Sequence, residues 1–137
     1  MRMKTPLACA ALLVLAACAS PRIAAMDHAS LVGKKWTAAI PEAPDAAQRP
    51  RLEFQPDGRL GGYTGCNTLG GSWQIVGGAV QVSALAMTKR ACIGAGGNIE
   101  KRFLAAVNEK ARITLEGGKL VALGAGGERL EFVVVPA

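Results

Sequence analysis

Residues 72–83 read SWQIVGGAVQVS, in which two runs of alternating residues flank a glycine pair. Alternation of apolar and polar residues is typical of a strand that buries one face. A Gly-Gly pair between two such runs is a signal for a two-residue hairpin, because both turn positions favour positive φ. This stretch therefore predicts an antiparallel hairpin of two strands joined by a tight turn.

Similar patterns precede and follow this hairpin. Residues 56–58 (PDG) supply turn chemistry between two more runs, and Gly117-Gly118 separates another pair. The predicted strands span residues 36–40, 51–54, 59–64, 72–76, 79–83, 112–116, 119–123 and 129–135.

One segment has helical periodicity instead. Asn98 is a suitable N-cap, and Glu100 in the first turn suits the positive end of the helix dipole. Apolar residues recur there at four-residue intervals, namely Ile99, Phe103 and Val107. The pattern predicts one helix over residues 98–109. We therefore expect an α+β fold, a small antiparallel cracked β-barrel or curved sheet of about 7–8 strands packed on one α-helix.

The N-terminus has the order of a secretory signal peptide. Arg2 and Lys4 precede an uncharged apolar run over residues 6–17, and residues 15–18 read LAAC. A cysteine directly after two alanines at the cleavage point resembles the bacterial lipobox, in which the thiol receives a diacylglycerol. The run is too short for a spanning helix, which needs about 20 apolar residues.

The chain is therefore predicted to have three parts. Residues 1–17 are a lipoprotein signal peptide, residues 18–30 a lipidated tether, and residues 31–137 a folded domain. Lipidation is expected at Cys18, where Ala19 follows in place of the aspartate associated with inner-membrane retention. The expected location is the cell envelope, with the chain anchored by lipid at the outer membrane and facing the periplasm.

Charge gives little reason to expect a nucleic-acid partner. The net charge is +6 over 137 residues, and Arg2 and Lys4 contribute to it from the predicted signal peptide. The remaining basic residues are scattered and form no stripe of the kind that tracks a phosphate backbone. The pairs at 34–35, 89–90 and 101–102 could lie near anionic headgroups, although solvated surface is the preferred interpretation.

Two cysteines remain in the predicted domain. Cys66 and Cys92 are most simply a disulfide in an oxidising compartment. A redox or metal-binding pair is the alternative, but the spacing is not C-x-x-C and no histidine is near either residue.

Catalytic residue sets are missing from the sequence. The single histidine, His28, falls in the predicted tether, and no cluster of His and Cys suggests a metal site. No carboxylate pair is indicated by spacing. We expect no enzyme activity, no metal and no cofactor.

Two unusual segments, residues 63–73 and 85–92, each carry one of these cysteines. Their polar groups could satisfy the backbone of a tight corner, which is the preferred interpretation. Alternatively, the disulfide-linked loops form a rigid interaction surface. The candidate residues of that surface are Gly65, Asn67, Trp73, Thr88 and Arg90.

These segments carry a family resemblance. Residues 54–67 (FQPDGRLGGYTGCN) with GSW at 71–73 resemble the first signature of the META-domain family, and LAMTKRAC at 85–92 resembles the second. This family includes the bacterial heat-shock lipoproteins called HslJ. Thr68 and Trp73 depart from the arginine and tyrosine that are more frequent in the family.

The resemblance covers roughly residues 31–135. It implies a small cracked barrel with one helix, often lipid-anchored and linked to stress or drug tolerance. The expected function is a non-enzymatic envelope lipoprotein. Its expected partners are the membrane, reached through the N-terminal lipid, and an envelope protein or a hydrophobic ligand.

Two alternatives stay open. One is a carrier or pilot-like module that binds an acyl chain or apolar peptide inside the barrel. The other is an inhibitor of an envelope-attacking hydrolase such as lysozyme. The carrier would line its cavity with Leu52, Phe54, Val80, Val82, Leu85, Leu120, Phe132 and Val134, although these residues could equally fill a core.

Overall fold

A computed structural model describes residues 26–41, 43 and 45–135. Eight antiparallel strands form a closed barrel in sequence order, and a helix of 12 residues packs against it. The α-helices are α1 (His28–Leu31) and α2 (Ala95–Ala106), with a 3-10 turn at Ala46–Gln48. The strands are β1 (Trp36–Ala38), β2 (Arg51–Phe54), β3 (Arg59–Tyr63), β4 (Thr68–Val76), β5 (Ala79–Met87), β6 (Arg112–Glu116), β7 (Lys119–Leu123) and β8 (Arg129–Val134).

Hydrogen bonding continues around the whole barrel. β1 pairs with β2 on one side and with β8 on the other, which closes the sheet. The join between β5 and β6 is the shortest, with Val80 opposite Ile113 as its one registered pair. The predicted α+β fold, an antiparallel barrel with one substantial helix, is confirmed.

The barrel is filled by side chains that alternate along the strands, as the sequence pattern predicted. Leu52 and Phe54 on β2 and Val80 and Val82 on β5 are all buried. α2 adds Phe103, whose ring meets Phe132 of β8 edge to face with 6.2 Å between centroids. The helix therefore packs its apolar face onto the core of the sheet.

The helix begins three residues earlier than the sequence predicted. Gly94, with φ of 80°, occupies the N-cap, and Asn98 lies inside the helix. Only a glycine takes this positive φ without strain, so the chain can turn sharply into the helix there. Ile99 and Phe103 are buried as predicted, and Val107 is the buried C-cap.

The predicted tether is wrong at its C-terminal end. Residues 28–31 form α1, and Asp27 caps it in a capping box with Ser30. Leu31 is fully buried, and its carbonyl accepts a hydrogen bond from Nε1 of Trp36 at 3.2 Å. The folded unit thus starts before residue 31. The predicted signal peptide and Cys18 lie outside the described residues.

β4 and β5 are longer than predicted, because each continues toward the cysteine-containing segments. Leu69 pairs with Met87 and Gly70 with Ala86, so residues 68–71 are strand and not loop. No helix in the described ranges is long and apolar enough to cross a membrane.

Candidate functional site

The two cysteine-containing segments meet at one end of the barrel. Cys66 and Cys92 form the predicted disulfide, with 6.0 Å between their Cα atoms. We call residues 64–67 and 88–94 the stapled loops. The first connects β3 to β4, and the second connects β5 to the N-terminus of α2.

Asn67 is the centre of the stapled loops. Its side chain is buried with 2% exposure. Nδ2 donates to Oε2 of Glu100 at 2.8 Å and to the carbonyl of Arg90 at 3.1 Å. Oδ1 accepts from the backbone N–H of Arg90 at 2.6 Å and from the hydroxyl of Thr88 at 3.0 Å. One side chain therefore joins both loops to α2.

Thr64 completes the network from the other side. Its hydroxyl is fully buried, donates to Oε2 of Glu100, and accepts from the N–H groups of Cys66 and Asn67 at 3.2 and 2.8 Å. Oε2 of Glu100 thus receives two hydrogen bonds, one from each buried polar side chain. Buried polar groups are stable only when paired in this way.

Small residues let α2 approach the loops closely. A Cβ on Gly97 would lie 2.5 Å from the carbonyl oxygen of Cys92, and one on Gly65 would lie 2.6 Å from Cγ2 of Ile99. Gly65 also has a φ of 99°, which side-chain-bearing residues rarely adopt. The first turns of α2 therefore pack directly on the stapled backbone.

The predicted interaction surface is only partly a surface. Gly65 and Asn67 are buried, whereas Thr88 and Arg90 are exposed at the rim of the same loops. The donors and acceptors of the Asn67 side chain are all used in hydrogen bonds within the protein, so none is available to a partner. The structural interpretation of this residue, as support for a tight corner, is the one that the contacts favour.

Trp73 does not belong to the stapled loops at all. It lies within β4, 4% exposed, and its Nε1 donates to the carbonyl of Gln55 at 3.0 Å. Its ring meets Phe54 edge to face at 5.3 Å and the ring of His28 at 4.6 Å. The prediction that it forms part of the interaction surface is wrong, because its ring packs in the core beside α1.

The exposed rim of the stapled loops is basic and carries one large apolar side chain. Lys89 and Arg90 are exposed, and Ile93 is 98% exposed. A groove of about 410 Å³ runs between the rim and α2, with Arg90 on one wall and Lys101 on the other. Cationic and apolar contacts are thus available together at this end of the molecule.

The clearest charge perturbations lie elsewhere, on exposed side chains. The backbone N–H and guanidinium of Arg59 donate to Asp57 and lower its pKa. Hydrogen bonds to Glu116 and Glu131 raise the pKa of Arg129, and Arg129 in turn lowers the pKa of Glu131. Within the described part of the chain, no three His, Cys, Asp or Glu side chains form a metal-binding group.

Most of the residues proposed to line a carrier cavity belong to the packed core. They join the hydrophobic cluster that also contains Phe103, whereas Leu85 is half-buried and Val134 is 41% exposed. The residues buried in this way are Leu52, Phe54, Val80, Val82, Leu120 and Phe132. This arrangement favours a filled barrel.

Thr64 and Glu100 have roles in the network that the sequence pattern does not predict. Glu100 was placed at the helix dipole, yet its partners are 33 and 36 positions away in the chain. No local periodicity reports such contacts. The sequence does contain one chemical signal for these contacts. The carboxylate of Glu100 lies next to the buried face of the helix and needs hydrogen-bond donors there, and the amide of Asn67, beside Cys66, can donate.

Comparisons with known proteins agree with this fold. A family model for the META domain matches residues 29–136. No curated protein matches the chain. The NMR structure of a protein from Burkholderia xenovorans is similar, with 22% identity and a TM-score of 0.60 over 78% of this chain and 85% of that chain.

Two further solved structures share the fold. An NMR structure has 16% identity and a TM-score of 0.63, over 80% of this chain and 95% of the other. The crystal structure of a DUF4847 family protein from Bacteroides vulgatus ATCC 8482 has 16% identity and a TM-score of 0.51, over 75% and 93%. At these identities the likeness concerns the fold alone.

Proposed function

This chain belongs to the META-domain family, and we propose that it is a non-enzymatic lipoprotein of the cell envelope. It is anchored by lipid through Cys18 at the outer membrane and faces the periplasm. It contributes to stress or drug tolerance through binding, and the rim of the stapled loops is its contact surface.

The non-enzymatic part is supported by the internal hydrogen bonds of Asn67 and of Oε2 of Glu100. Oε2 of Glu100 already accepts from Thr64 and Asn67, and both ends of the Asn67 amide are occupied. The Asn67 amide has two donors and two lone pairs, and its internal partners use all of them. These groups instead stiffen the loops, which supports a role in holding a surface in shape.

The alternatives have weaker support. A carrier needs space between the apolar side chains that here form one cluster around Phe103. A hydrolase inhibitor needs a protruding loop rich in interface anchors. Residues 88–94 read TKRACIG, and of Trp, Tyr and Arg, the residues enriched at the energetic centres of protein interfaces, they contain one Arg only.

Export and anchoring are supported by the LAAC sequence at residues 15–18. The test is the N-terminal mass of the chain extracted from membranes. The chain should begin at Cys18 and carry acyl groups, and Cys18→Ser should abolish the acyl mass. Cys9→Ser is the matched control, because that cysteine lies within the apolar run and should leave the mature mass unchanged.

Two results would contradict this proposal. One is an unacylated wild-type chain in the membrane fraction. The other is an acyl mass that survives the Cys18→Ser substitution.

A further inference from the structure

We propose that the rim of the stapled loops docks onto an anionic lipid surface. Ile93 enters the headgroup–acyl boundary, while Lys89, Arg90 and Lys101 face the headgroups. This deepens the proposed function and rests on it for the nearness of a membrane. The occupant is a phospholipid surface of negative charge.

The shape of the rim is fixed before docking. Ile93 is 98% exposed and directly follows Cys92, which the disulfide holds to the β3–β4 loop. Two residues before Cys92, both the N–H and the carbonyl of Arg90 bond to the buried Asn67 amide. The backbone that precedes Ile93 is therefore already held in place, which lowers the backbone entropy lost on docking.

The charge of the rim complements anionic headgroups. Lys89 and Arg90 precede the exposed isoleucine, and Lys101 lines the same groove as Arg90. The acidic group in the same groove, Glu100, accepts hydrogen bonds from Thr64 and Asn67. Basic side chains close to an anionic leaflet each strengthen binding by roughly fivefold, and salt weakens the effect.

A lipid surface fits these residues better than a protein does. Stable protein interfaces bury on the order of 1,200 Å² or more around aromatic and arginine anchors. Residues 87–93 read MTKRACI, which offers one arginine and no aromatic side chain, so a protein partner would find a single anchor of this kind. Aliphatic side chains flanked by lysine and arginine are the pattern of interfacial membrane contact, where the long cationic stems also reach outward to the headgroups.

Depth-dependent fluorescence quenching tests the docking directly. The chain is extracted from membranes, its N-terminal mass is recorded, and it is reconstituted into vesicles with brominated acyl chains. Ile93→Trp reports on the rim, and Val76→Trp reports on the β4–β5 turn at the opposite end of those strands. Val76 is a matched control because it is also an exposed aliphatic residue, at 46%.

We expect the Ile93→Trp signal to be quenched in phosphatidylglycerol vesicles and not in phosphatidylcholine vesicles. The Val76→Trp signal should be spared in both, and wild type gives the baseline from the buried Trp36 and Trp73. Replacing Lys89 and Arg90 on the rim together with Lys101 on α2 by glutamine should lower the docking constant on the order of 100-fold. Replacing Lys35 and Lys119, exposed toward the other end, should change it little.

Three outcomes would overturn the proposal. The first is equal quenching of Ile93→Trp and Val76→Trp, and the second is equal quenching of Ile93→Trp in phosphatidylglycerol and phosphatidylcholine vesicles. The third is quenching of Ile93→Trp that survives replacement of Lys89, Arg90 and Lys101 by glutamine. If Ile93→Trp is not quenched and substitutions in the rim still abolish cellular function, the rim binds a protein partner instead. If the chain carries the acyl mass and does not dock, the proposed anchoring stands and the docking is refuted. If the acyl mass is missing, the anchoring is refuted, and the quenching result still decides the docking.

Discussion

Replacing Asn67 by alanine should destabilise the protein far more than the loss of one exposed amide would. The side chain makes five hydrogen bonds, to Glu100, to Thr88, to Sγ of Cys66 and to both backbone groups of Arg90. Neutral hydrogen bonds contribute about 1 kcal/mol each and one to a carboxylate about 1.5–3 kcal/mol. Since neighbouring losses are not additive, we expect the free energy of unfolding to fall by about 3–5 kcal/mol.

Urea unfolding at neutral pH, with the disulfide intact, measures this loss. Asn98→Ala is the matched control, because Asn98 is exposed on α2 and its truncation should change stability by no more than about 0.5 kcal/mol. A double-mutant cycle with Glu100→Ala should give a coupling energy of about 1 kcal/mol or more. A loss below about 1 kcal/mol for Asn67→Ala, or zero coupling, would refute the network as the support of the loops.

The other predictions concern packing and the staple. Phe103→Ala should lower the free energy of unfolding by about 3–5 kcal/mol because the ring is fully buried. The control Lys101→Ala, at an exposed position, should lower it by no more than about 0.5 kcal/mol. Equal shifts in melting temperature for the two variants would contradict the position of α2. Gly97→Ala should be destabilising by about 1 kcal/mol or more, since its Cβ would meet a loop carbonyl at 2.5 Å, whereas Gly126→Ala has open space and should be near neutral; indistinguishable stabilities would argue against the close approach. Reducing the disulfide should lower the free energy of unfolding by roughly 3–4 kcal/mol, and an unchanged urea midpoint with reductant would deny its contribution.

Local patterns predicted most of the barrel. β2, β6 and β7 have the predicted bounds, because alternation and turn residues act over neighbouring positions. The glycine-rich start of β4 was missed, since glycine disfavours strands in isolation. In the barrel, β3 and β5 pair with it on both sides and satisfy its backbone groups, which overrides that preference.

The candidate site was predictable only in part. The cysteine pairing followed from counting and compartment, whereas the burial of Asn67 depends on partners 21 to 33 positions away. Trp73 shows the opposite case. Its place next to the cysteine segment suggested a shared surface, but the strand carries it toward the other end of the barrel, against His28 and Phe54.

If the protein works through the rim of its stapled loops, growth rescue under envelope stress should depend on the residues of that rim. A strain that lacks the gene would receive one of two triple variants at equal, folded protein levels. The rim variant carries Lys89→Gln, Arg90→Gln and Ile93→Ser, and the control carries Lys35→Gln, Lys119→Gln and Val76→Ser. We predict that the rim variant fails to rescue and that the control rescues like wild type. Full rescue by the rim variant would contradict this prediction.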